Sequence, residues 1–120
     1  MSLNELRLID YLEHIAEASC NIGEYLADMD YPAFLTHKMA RDAVIRNFEI
    51  IGEAAKNIFQ RFPEVTEQHS EIPWRALYGM RNALSHGYFK VDLERVWQTA
   101  ERDLPALHAQ ISQLLAELQA

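Results

Sequence analysis

Apolar residues recur at three- and four-residue steps along most of the chain, the period of a helix with one buried face. Leu3, Leu6, Ile9, Leu12, Ile15, Ala16, Ile22 and Leu26 carry the first stripe, with Ser19 in the same series. Ser2 and Glu5 have the spacing of a capping box at its start. The stripe predicts a helix to about Asp28. Asp30-Tyr31-Pro32 interrupts it, because proline has no N–H for a helix interior. A second stripe, through Ala40, Ala43, Val44, Phe48, Ile51, Ala55, Ile58 and Phe59, predicts a helix from about Thr36 to Arg61 that Pro63 ends. The segment 63–72, PEVTEQHSEI, is polar and reads as a loop. Pro73 suits a first helical position and predicts a short third helix to about Ser85, with Gly87 placed to terminate it. Asp92 reads as the N-cap of a fourth helix bearing Leu93, Val96 and Trp97. Pro105 is expected to kink or divide that segment. Asp103 is placed to cap a last helix carrying Leu107, Ile111, Leu114, Leu115 and Leu118.

Five helices, two of them long, predict an all-α fold, an up-and-down bundle. A chain of 120 residues is expected to form one domain over 1–120. Gly52 sits inside the second long helix, where it costs about 1 kcal/mol relative to Ala. Its presence implies that another backbone comes close, from the third helix or from a partner subunit. Apolar residues make up 49% of the chain, which leaves faces available to close a dimer.

Composition narrows the setting. No apolar run approaches the roughly 18 residues of a membrane span. The N-terminus is amphipathic and unlike a signal peptide, so a cytoplasmic protein without membrane contact is expected. Cys20 has no second cysteine with which to form a disulfide or a cysteine-based zinc site, and reads as a small core residue. His14, His37, His69 and His108 show no pairing that resembles a metal site, and neither metal nor cofactor is expected. Formal charge is −7, yet residues 73–90 hold Arg75, Arg81 and Lys90 with no acid, leaving −10 for the remainder (−7 less the +3 of that stretch). The overall acidity argues against a broad duplex-binding face, while the basic island suits a local anionic ligand.

That island contains Arg81-Asn82-Ala83-Leu84-Ser85-His86-Gly87-Tyr88. Arginine can hold a phosphate, and histidine can move a proton near neutral pH. On a continuous helix Arg81 and His86 lie roughly 140° apart. Asn82 and His86, four apart, face each other, so Asn82 can orient the imidazole. The plain alternative has His86 interacting with a helix C-terminus and Arg81 pairing with a surface carboxylate. Tyr88 can stack on a base, contact a phosphate, be modified, or pack against a helix. Arg46, Glu49 and Glu53 share one face of the second helix. Either that face is solvated, or Glu53 is partly buried and needs a partner, for which Arg81 is a candidate.

The pattern Arg81-x4-His86-x-Tyr88 resembles the HEPN superfamily, and more closely its HepT-like (DUF86) ribonuclease toxins. The resemblance extends through Asp42 to Asn47, Ile50 to Ala54, Ile72-Pro73-Trp74, Gly79 to Asn82, Val91-Asp92, Val96-Trp97 and Asp103-Leu104-Pro105. It implies a HEPN-like bundle of four to five helices, dimeric, with its site at a two-fold interface. It implies a metal-independent endoribonuclease, the toxin of a type VII-like pair. Its antitoxin would be a minimal nucleotidyltransferase that places AMP on the motif tyrosine. By position, Arg81 and His86 are the catalytic residues. Asn82, Ser85 and Tyr88 are supporting and substrate-binding residues, and Tyr88 is the AMPylation target. The partners implied are RNA, the nucleotidyltransferase and a second copy of the chain. The rival expectation is a dimeric helical partner of a nucleotidyltransferase, or a nucleotide-binding module, that cuts no RNA.

Overall fold

The computed structural model describes residues 2–86 and 92–120, and for Ser85 and His86 the backbone only. Every element among the described residues is helical. Helix α1 spans Leu3–Leu26, and the Ser2 hydroxyl accepts the Glu5 N–H at 3.1 Å, as the capping spacing predicts. The break at residues 30–32 is also a beginning. Asp30 accepts the Ala33 N–H at 2.9 Å and starts a six-residue helix, α2 (Tyr31–Thr36), with Pro32 in its first turn. Proline there lacks only an N–H that has no partner in a helix anyway. Helix α3 runs Lys38–Arg61, two residues later than expected, because His37 Nδ1 caps it by accepting the Ala40 N–H at 3.1 Å.

The expected loop at 63–72 folds further than its polarity suggests. Pro63 opens a short helix, α4 (Pro63–Gln68), in which the buried Thr66 hydroxyl donates to the Pro63 carbonyl at 2.8 Å. Helix α5 spans Trp74–His86. Its first residue is buried, with the indole N–H donating to the His69 carbonyl at 3.0 Å. Gly87, expected to end α5, lies outside the described residues. Asp92 caps α6 (Leu93–Gln98) by accepting the Arg95 N–H at 3.1 Å, as predicted.

Pro105 does not divide the C-terminal helical segment. It lacks the N–H that would close an α-turn, and its ring crowds the carbonyl four residues back. The chain answers by widening the preceding turn. Residues Thr99–Asp103 form a π-helical turn in which the Leu104 N–H reaches the Thr99 carbonyl, and α7 (Leu104–Gln119) continues directly from it. Asp103 makes no capping bond, because no new helix begins there.

Helix α3 is central, packing against both α1 and α5, and α1 also packs against α7. The buried residues form one cluster, with Leu12, Ile15 and Ile22 of α1, Val44, Phe48, Ile51 and Ile58 of α3, and Ile111 of α7 almost fully enclosed. Trp97 of α6 stacks at a tilt on Tyr31 and Phe34, tying α2 to α6. Cys20 is exposed, contrary to expectation. One residue is about 100° on a helix, and Ser19 takes the inward position instead, donating its hydroxyl to the Ile15 carbonyl at 2.8 Å.

Candidate functional site

Helix α5 carries the motif, and its position on α3 is set by Gly52. A β-carbon at Gly52 would lie 2.8 Å from the Leu77 carbonyl oxygen and would collide with Arg81 Cβ. Only glycine permits this crossing. The backbone that approaches Gly52 is thus the third predicted helix, one of the two expected sources.

The same contact delivers Arg81 to the residue after the glycine. Arg81 Nε lies 3.1 Å from Glu53 Oε2, and Arg81 Nη1 donates to Asn82 Oδ1 at 3.2 Å. The guanidinium is therefore held from two sides, with the arginine side chain 27% exposed. Glu53 is the expected partner of Arg81, but it is exposed rather than buried, at 50% of its side chain. A pair this open adds little stability. Its effect is to choose one orientation of a long side chain.

Asn82 has a bond that spacing along the chain does not announce. Its amide oxygen accepts from Arg81. Its place one turn before His86 is as predicted, because α5 stays helical through His86. That continuity also keeps residues 81 and 86 roughly 140° apart around the axis. Asn82 lies between them, touching Arg81 by hydrogen bond and sharing a helix face with His86. Ser85 and His86 occupy the last turn of α5, and Tyr88 and Lys90 lie outside the described residues. One charge of the basic island is offset, since Arg81 meets Glu53, while the Arg75 guanidinium keeps its charge 5.2 Å from the centroid of the Phe59 ring.

A family description, Ribonuclease HepT-like, matches residues 8–114. The chain belongs to the HepT-like ribonuclease family. It is 45% identical over 105 residues to a Thermococcus cleftensis protein named "Probable ribonuclease HepT", covering 88% of this chain and 93% of that one. It is 35% identical over 105 residues to a "Putative RNase" of Caldanaerobacter subterraneus, covering 88% and 91% respectively. A longer Methanocaldococcus jannaschii protein, named "Gamma-glutamylcyclotransferase and putative RNase", is 42% identical over 108 residues, but this chain spans only 47% of it. No solved structure matches the chain.

A groove opens beside Arg81. Its volume is about 380 Å³. Tyr11 and His14 of α1 form one wall, Arg46, Glu49, Glu53 and Asn57 lie along α3, and Arg81 of α5 joins the lining at Glu53. Sequence reading passes over His14, Tyr11 and Asn57, because residues on separate helices give no local signal of meeting. It also misses Asn47, which is buried and links α3 to α1. Asn47 accepts from Asn21 Nδ2 at 3.2 Å and donates to the Ala43 carbonyl at 2.8 Å. Among the described residues no three of His, Cys, Asp and Glu gather as metal ligands, and no helix is long and apolar enough to cross a membrane.

Proposed function

We propose that this chain is a metal-independent endoribonuclease in which Arg81 clamps the scissile phosphate and His86 transfers protons. The observation that carries the reading is the two-sided fixation of Arg81 by Glu53 and Asn82, on the helix that ends at His86, in a HepT-like ribonuclease. In the reaction a base removes the 2′-hydroxyl proton and the 2′-oxygen attacks phosphorus. The bond from phosphorus to the 5′-oxygen then breaks, and an acid protonates that oxygen. The product carries a 2′,3′-cyclic phosphate. Charge builds on the phosphate oxygens in the transition state, where a preorganised guanidinium stabilises it most. One histidine serves one proton role at a time. Two copies of His86 across a two-fold dimer would supply base and acid together, which is the physical reason for a dimeric, single-domain enzyme.

The same reading makes Tyr88 the off-switch of a toxin. AMP transferred to its hydroxyl by a partner nucleotidyltransferase would bring negative charge and bulk to the motif, excluding RNA. The rival, a non-catalytic partner module, draws support from the Arg81–Glu53 pair, since an arginine already paired can be structural.

The experiment is RNA cleavage by the purified chain in EDTA, beside Arg81→Ala and His86→Ala. The expected result is cyclic-phosphate product from the parent and a loss of about 10²–10³-fold in each variant. Equal cleavage by all three would remove both residues from the mechanism.

A further inference from the structure

The groove between α1, α3 and α5 is larger than one guanidinium needs. At about 380 Å³ it falls within the ~300–1,000 Å³ of pockets that take small ligands. Its charges are ordered along α3. Arg46, Glu49, Glu53 and Asn57 follow one another at three- and four-residue steps and so form one line. Arg81 is anchored at Glu53. Arg46 precedes Glu53 by seven residues, ~10 Å along the helix. The groove therefore has two cations spaced along α3, with Glu49 between them and Asn57 one turn beyond the Arg81–Glu53 pair. Across from that line stand Tyr11 and His14, three residues apart and on one face of α1. Tyr11 is half-buried against the core, which fixes its ring as a wall.

We infer that this groove is a nucleotide subsite for single-stranded RNA, holding the nucleoside next to the scissile phosphate and, at Arg46, the following phosphate. The order cation, aromatic and polar wall, cation matches phosphate, nucleoside, phosphate. The Glu49 carboxylate between the cations repels a phosphate placed there, which leaves that stretch to the nucleoside. A wall of Tyr11 and His14 suits the base face. A duplex is excluded, because its bases are not free to enter a pocket of one-nucleotide size. The inference rests on the ribonuclease reading for the identity of the phosphate at Arg81, and it adds what sits beside it.

The test uses the full chain and a fluorescein-labelled mixed-sequence oligoribonucleotide, with binding followed by anisotropy across a salt series. His86→Ala serves as the non-cleaving background. Adding Arg46→Ala is expected to weaken binding several-fold and reduce the salt slope by about 0.7, the value for one phosphate contact on a single strand. In the cleaving protein, His14→Ala is expected to change which nucleotide is preferred beside the cut, raising KM more than it lowers kcat. Unchanged affinity, slope and preference would overturn the subsite. So would a shift in sedimentation with RNA affinity intact, since the groove would then be a contact between protein chains. A parent that binds RNA through Arg46 but never cuts it would overturn the nuclease reading and leave the subsite standing. A parent that cuts with a preference indifferent to Arg46 and His14 would do the reverse.

Discussion

The two neighbours of α3 are held in different ways. Toward α1 the contact is made by volume: Leu12, Ile15 and Ile22 are enclosed, with the Asn21–Asn47 hydrogen bond set among them. Toward α5 it is made by an absence, the missing β-carbon of Gly52. Packing by volume tolerates many side chains of suitable size. Packing through a glycine tolerates one residue and one crossing. The α1 seam therefore supplies stability through volume, and the α5 crossing, beside the buried Trp74 and Leu77, also supplies placement, since it brings Arg81 to Glu53.

The sharpest way to break this contrast is to remove volume from the α1 side. Ile15→Ala is expected to cost about 2–5 kcal/mol by denaturant unfolding, the range for a buried isoleucine. A cost below about 1 kcal/mol would mean the seam is loosely packed. Next comes the same substitution at two glycines. Gly52→Ala gains about 1 kcal/mol of helix propensity. It also places a β-carbon against a backbone oxygen that cannot yield, so a net loss of about 1–3 kcal/mol is expected. Gly23→Ala, on an exposed face of α1 with nothing within 4 Å, is expected to gain about 0.5–1 kcal/mol. Equal signs at the two sites would end the distinction. The smallest effect on stability belongs to Glu53→Gln. The pair is half exposed, so unfolding free energy is expected to change by less than about 0.5 kcal/mol. RNA cleavage should still fall several-fold, mostly in kcat. Cleavage that tracks stability alone would show that Glu53 does not position Arg81.

Much of the fold is legible in the chain. The apolar stripes locate α1, α3 and α7 because a helix repeats every few residues, within the reach of a local pattern, and Pro73 marks the start of α5. Ser2 and Asp92 announce helix starts because a cap bonds a backbone N–H only two or three residues on. Gly52 announces a close approach because its cost in a helix must be offset by something. The three prolines at 32, 63 and 105 are harder. Each reads as a stop, yet Pro32 and Pro63 begin helices and Pro105 is absorbed by a π turn. Proline forbids one hydrogen bond, and whether the chain stops, restarts or widens depends on what its neighbours can cap or bury.

The arginine–histidine spacing reads as a helix end with useful side chains on two faces. The helix indeed runs through His86, so α5 alone does not join them. Periodicity, caps and the motif are local properties, written in residues a few positions apart, and the chain settles them before it folds. Which carboxylate meets Arg81, and that Tyr11 and His14 face Arg46 across a groove, are set by how three helices cross. Those contacts join residues 28 to 70 positions apart in sequence (53 to 81, and 11 to 81), and only packing around the Gly52 crossing brings them within reach.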